Sequence, residues 1–264
     1  MKQDILIGLD RATWYYKIGE ICEKCKELGD LGLTGIELRP EHPELFSTFP
    51  KINNNLLSII NSYDLTLSMH APLKDLNIAS YNPEIREKSL DIYSKTIEYA
   101  GNFDNMKYIL FHGGKNSFKS NSRFERKERN KALRRTIESF KILLNKCKKY
   151  RIKMGIENMT ASDWRMTSKI SYLREIFNEP ELEDLKFVYD YEHAINLSER
   201  YSLRILKRFK DRVIAVHIGD DYPKFKDYLT DNKPTLVIEP HHFYREDIIF
   251  KKIKDLLTNL QDIL

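Results

Sequence analysis

Lys153-Met154-Gly155-Ile156-Glu157-Asn158 is a short apolar run that stops abruptly on a carboxylate and an amide. So short a run suits a buried parallel strand better than a helix, and its end would hold Glu157 at a fixed point beside solvent. A charge at the end of a buried strand needs a reason, and the chain repeats the pattern on either side. Ile5 to Leu9, Gly35 to Arg39, Leu65 to His70, Met106 to Phe111 (followed by His112), Leu185 to Asp190, Val213 to His217 and Thr235 to Glu239 read as further strands.

Helical periodicity fills the gaps. Ile18 to Leu28 places Ile21, Cys25 and Leu28 on one face and is stopped by Gly29 and Gly32. Ile52 to Tyr63 is a second helix, and Asn82-Pro83-Glu84 starts a third that runs to about Ala100, with a cap and a proline in its first turn. Ser122 and Glu125 have capping-box spacing ahead of a long fourth helix carrying Ile137, Phe140, Leu144 and Cys147. Ser168 to Phe177, Leu197 to Phe209 and Glu246 to Leu260 follow. Only 21 residues separate His217 from Glu239, so the seventh helix is expected to be one or two turns long, or missing.

Eight short strands alternating with helices, without a flexible linker, predict an α/β chain folded as a single (β/α)8 barrel domain over residues 1–264. An open doubly wound sheet would be expected to carry a Gly-rich phosphate turn after the first strand, and Asp10-Arg11-Ala12-Thr13 is not one. The balance of 44 Lys+Arg against 39 Asp+Glu gives a net charge of +5, too small to establish nucleic-acid binding. No stretch is long and apolar enough for a signal-peptide core or a membrane span, so the expected setting is cytoplasmic, without a membrane partner. Cys22, Cys25 and Cys147 lack a second pair to complete a zinc site and read as packing residues.

In a barrel of parallel strands all carboxyl ends share one rim. Glu37, His70, His112, Glu157, Asp190, His217 and Glu239 would occupy it, with His193 three residues beyond Asp190. The gaps from His70 onward are 42, 45, 33, 27 and 22 residues, roughly one βα unit each. Carboxylates clustered without a cation raise one another's pKa, so the set points to a divalent ion: oxygen ligands favour Mg or Mn, and imidazole admits Zn or Co.

The sequence resembles the xylose-isomerase-like TIM barrels, the superfamily of many sugar isomerases and epimerases and of endonuclease IV. The resemblance rests on Gly35-Ile36-Glu37-Leu38, Ser68-Met69-His70-Ala71-Pro72 with Asn77-Ile78-Ala79-Ser80, and Phe111-His112-Gly113-Gly114. It continues in Gly155-Ile156-Glu157-Asn158-Met159, Asp190-Tyr191-Glu192-His193-Ala194, His217-Ile218-Gly219-Asp220 and Val237-Ile238-Glu239. It implies that Glu157, Asp190, His217 and Glu239 ligate a metal, with His70 and His112 able to serve a second ion. In endonuclease IV the positions matching His70, His112 and His193 are ligands of a three-zinc cluster. There an Asp-x-His motif completes the third site. The stretch between His217 and Glu239 has Asp220, Asp221, Asp227 and Asp231 but no His.

Two activities follow. The first is a divalent-metal-dependent sugar or sugar-phosphate isomerase or epimerase acting through an enediolate, with Glu157 and Glu239 as base and acid on opposite sides of the ion. His193 and Lys115, with Glu37 and Trp14, are its candidate substrate contacts. The second is an endonuclease IV-like, zinc-dependent hydrolysis of abasic DNA, for which the basic stretch from Lys115 through Lys119, Arg123, Arg126, Lys127, Arg129, Lys131 and Arg134 to Arg135 would neutralise phosphates. Interleaved Glu125 and Glu128 favour a solvated helix face instead. A homo-oligomer is compatible with either activity.

Overall fold

The computed structural model describes residues 3–47, 49, 51, 53–118, 123–219, 226–240 and 248–261. Eight strands neighbour one another in chain order and close into a barrel: β1 (Ile5–Gly8), β2 (Leu33–Leu38), β3 (Thr66–His70), β4 (Met106–Phe111), β5 (Lys153–Glu157), β6 (Lys186–Asp190), β7 (Val213–Ile218) and β8 (Thr235–Ile238). The pairings of β1 with β2 and β8, of β2 with β3, of β5 with β6 and of β7 with β8 are parallel. The strands are buried along nearly their whole length, as expected where a sheet is covered on both faces.

Around the strands run α1 (Ile18–Glu27), α2 (Pro43–Phe46), α3 (Asn54–Ser62), α4 (Pro83–Ala100), α5 (Arg123–Lys149), α6 (Ile170–Phe177), α7 (Tyr191–Ile195), α8 (Glu199–Phe209), α9 (Lys226–Asn232) and α10 (Ile249–Gln261). The sequence expectations hold to within a residue or two at most boundaries. Asn53 caps α3 through its side chain, and Ser198 caps α8. Between β7 and β8, α9 has seven residues, about two turns, as the short spacing required. Ser122 lies outside the described residues, as do the expected first residues of the last helix.

By packing, the chain divides into two compact units. One gathers Met1–His70, Tyr99–Tyr108 and Ile214–Leu264; the other gathers Ala71–Glu98 and Ile109–Val213. In the first, Gly35 lets β2 and β3 approach closely, because a Cβ there would sit 1.8 Å from the Thr66 carbonyl oxygen and 2.6 Å from Leu6 Cδ2. In the second, Phe187 packs against Phe177, Tyr189 and Phe209, tying β6 to α6 and α8. Cys22, Cys25 and Cys147 are free thiols buried among such apolar contacts, and burial pushes Cys22 and Cys147 up to about 12, which suits packing and not reactivity.

Candidate functional site

In the first unit, the ends of β2, β3, β7 and β8 carry polar residues where the apolar runs stop. His217 is 1% exposed and sits between two carboxylates: Nδ1 is 2.9 Å from Glu239 Oε1, and Nε2 is 3.4 Å from Glu37 Oε1. Glu37 is fully buried and accepts hydrogen bonds at Oε2 from Ser68 Oγ (2.9 Å) and Tyr108 OH (3.0 Å). Burial opposes its ionisation, but the positive neighbours His217, His70 and Arg39 outweigh burial and hold its pKa below the ordinary value. Burial likewise disfavours the imidazolium of His217, yet Glu37 and Glu239 raise its pKa well above the ordinary value. Arg39 pairs with Glu239 and lies 3.7 Å from Asp10. Single ligand atoms of Glu37, His217 and Glu239 all lie within 4.8 Å of one another, a spacing one ion can span.

In the second unit, the ends of β4, β5 and β6 build a similar arrangement. His112 Nε2 lies 2.8 Å from Glu157 Oε2. Asp190 ends β6 and caps α7 by accepting from the His193 backbone N–H at 2.7 Å, so the helix start delivers the His193 ring to its own cap. His193 Nδ1 is 3.0 Å from Asp190 Oδ2, 3.5 Å from Glu157 Oε1 and 3.0 Å from the Asn158 carbonyl. Burial works against its charge, but Asp190 and Glu157 raise its pKa to about 11. The Asn158 side chain donates to the Asp190 carbonyl at 2.8 Å and accepts from the Asp190 N–H at 2.9 Å, locking the end of β5 to the end of β6.

The second unit therefore brings together His112, Glu157, Asp190 and His193, and the first brings together Glu37, His217 and Glu239. His70 ends β3 in the first unit, 2% exposed. Lys115 is exposed on the loop after β4, with its ammonium 5.6 Å from the centre of the Trp164 ring. Trp14 is half-buried and donates its indole N–H to the Leu9 carbonyl at 3.3 Å. Glu37 is fully buried and is engaged by a serine, a tyrosine and a histidine, which makes it a poor direct substrate contact. The basic stretch is not a uniformly solvated face: Glu128 is 2% exposed and pairs with Lys131, Arg129 pairs with Asp163, and Arg135 Nε donates to the Ala79 carbonyl. Asp220, Asp221 and Lys119 lie outside the described residues, as do the side chains of Arg123, Glu125 and Asp227; Asp231 is exposed.

Three partners were missed from sequence, although each left a signal. Arg39 follows Glu37 by two residues, Ser68 precedes His70 by two and Tyr108 precedes His112 by four, so each shares a strand face or its continuation with a residue already singled out.

The model for the xylose isomerase-like TIM barrel matches residues 23–261. The chain belongs to that family. An uncharacterized protein of Methanocaldococcus jannaschii is 31% identical over 178 residues, covering 67% of this chain and 64% of that relative, so the chain spans a little under two thirds of the relative's length. Among solved structures, a 3-keto-D-glucoside 4-epimerase from E. coli superposes with a TM-score of 0.75 at 16% identity over 99% of both chains. A D-tagatose 3-epimerase-like protein gives 0.73 at 16% identity over 98% of both. At that identity the likeness is one of fold. No helix among the described residues is long and apolar enough to cross a membrane.

Proposed function

We propose that this family member is a divalent-metal-dependent isomerase or epimerase of a sugar or sugar phosphate, with Glu157, Asp190, His217 and Glu239 as the ligand set. One observation carries the reading: each unit, taken by itself, holds an imidazole between two carboxylates at strand ends, His217 in one and His193 in the other. Buried carboxylates need positive charge nearby. In each unit the carboxylates favour a charged imidazole between them, and a divalent ion would supply that positive charge instead. The donor set of carboxylate oxygens and imidazole nitrogens fits Mn, Mg, Co or Zn, and His70 and His112 extend it to a second ion.

When bound, the ion supplies Lewis acidity toward adjacent oxygens of a hydroxy-carbonyl substrate. The chain's residues supply the rest. Glu37, kept ionised by Ser68, Tyr108 and its positive neighbours, faces His217 Nε2 at 3.4 Å and would so orient Nδ1 as the ligand atom. Glu157 takes the carbon-bound proton, Glu239 returns one from the other face, and Arg39 fixes the Glu239 carboxylate. His193 is held at Nδ1 by Asp190 and the Asn158 carbonyl, which leaves Nε2 to meet a substrate oxygen.

The endonuclease reading is weakened by the basic helix, because Arg129 and Arg135 are committed to internal partners. Elemental analysis of purified protein together with a ketose epimerisation assay tests the choice. One or two exchangeable ions with C-3 or C-4 epimer formation is the expected result. Three zinc ions per chain with cleavage of an abasic duplex would sink the epimerase.

A further inference from the structure

The loops after β4 and β5, both in the second unit, are stitched together. Lys115 and Arg165 form an antiparallel bridge, flanked by Asn116 N–H to the Trp164 carbonyl (2.7 Å) and Met166 N–H to the Gly114 carbonyl (3.1 Å). Asn77 then grips the backbone of Lys115 at both ends: its side chain accepts from the Lys115 N–H at 2.8 Å and donates to the Lys115 carbonyl at 2.9 Å. Asn77 is itself held through its N–H by Ser89 Oγ, which is 1% exposed. Gly114 has φ +74°, and a Cβ there would lie 2.8 Å from both Ala79 N and Asn77 Oδ1, so the turn that presents Lys115 admits only glycine. A backbone so constrained under an exposed lysine is the support a binding residue needs, because it removes the ordering cost at the moment of contact.

Two cations on these loops share one aromatic ring. The Lys115 ammonium and the Arg165 guanidinium lie 5.6 Å and 5.1 Å from the centre of the same Trp164 ring. An indole face attracts cations but does not neutralise them. Arg165 has no carboxylate partner among the described residues, and its Nε is buried without a hydrogen bond. The carboxylate nearest in sequence, Asp163, is already shared by Arg129 and Lys169. Arg129 of α5 and Lys169 thus already hold Asp163, and Lys115 and Arg165 stand three residues after His112 and eight after Glu157.

We infer that Lys115 and Arg165, set on one indole by the stitched β4 and β5 loops, form a clamp for an anionic group of a small substrate, phosphate or carboxylate. The inference rests on the epimerase reading for its substrate class, a phosphorylated or acidic sugar. A guanidinium matches either anion through paired N–H donors, and the ammonium adds a point charge.

The test is calorimetric titration of the metal-loaded protein with inorganic phosphate, acetate, D-fructose and D-fructose 6-phosphate. The sugar phosphate is expected to bind about tenfold or more tighter than the parent sugar, the size of one or two charge-assisted hydrogen bonds. Replacing both Lys115→Ala and Arg165→Ala should erase that difference while metal content and the circular dichroism spectrum stay at the wild-type level, and Arg165→Lys alone should keep part of it. Phosphate tighter than acetate identifies a phosphoryl site, and the reverse a carboxylate site. Equal binding of sugar and sugar phosphate in the wild type overturns the clamp and leaves the epimerase reading standing. Phosphate binding that survives the double variant but is lost in Glu157→Gln also overturns it, because the anion then sits on the metal. Anion binding lost in the double variant, in a protein that turns over no ketose, keeps the clamp and removes the epimerase.

Discussion

His217 and His193 are the same device at two depths. Each imidazole lies between two carboxylates, but the His217 side chain is 1% exposed and its partner Glu37 is fully buried, whereas the His193 side chain is 27% exposed and leans on a backbone carbonyl. Hydroxyl donors from Ser68 and Tyr108 hold the carboxylate behind His217; the backbone N–H of His193 holds the Asp190 carboxylate at the start of α7, while Asn158 grips the Asp190 backbone. Depth separates their expected roles. A ring with both nitrogens engaged in the interior suits fixed ligation, and a ring with one edge open suits contact with something that comes and goes.

The largest effect should come from the carboxylate paired with His112. Glu157→Gln keeps the shape but removes the charge, and turnover should fall by about a thousandfold or more with the fold intact, as read by steady-state kinetics alongside circular dichroism. Next is the deep side of the comparison. Glu37→Ala should cost roughly 10- to 100-fold in metal affinity, measured by competition with a chelator, because His217 loses the partner that fixes its ring. An unchanged affinity would mean that Glu37 is merely a satisfied core carboxylate.

On the shallow side, His193→Ala should lower kcat/KM by about tenfold while metal content stays at the wild-type level. Loss of metal in that variant would break the distinction, because both histidines would then be ligands. The smallest effect is in pH. The pKa of His193 is raised from 6.5 to about 11 in the folded chain, so in metal-free protein its contribution to stability is full below about pH 6.5 and declines as pH rises toward about 11. The melting temperature of metal-free wild type should therefore drop by a few degrees more than that of His193→Ala between about pH 7 and 10. Metal-loaded protein should show the opposite trend at the acid end, since protons and the ion compete for the same atoms.

Much of the candidate site was legible before the fold was known. Glu157, Asp190, His217 and Glu239 each end an apolar run, and a buried strand has nowhere to put a charge except its mouth, so hydrophobic patterning alone marked them. Pairing was not legible. Glu37 read as a rim residue open to substrate because strand-end position does not reveal what lies beside it, and three neighbours from other strands enclose it. Lys115 could be singled out by its place just after His112, but Arg165 could not, since the bridge joining their loops has no sequence period.

The sequence by itself determined the alternation of strands and helices, the short helix before β8 and the residues that end each strand, because periodicity and chain length are local properties. Tertiary structure decided which carboxylate faces which imidazole and at what depth, and which cation shares the Trp164 ring with Lys115. Those outcomes depend on contacts between elements far apart in the chain, where side-chain volume and charge balance choose the partner and spacing along the sequence does not.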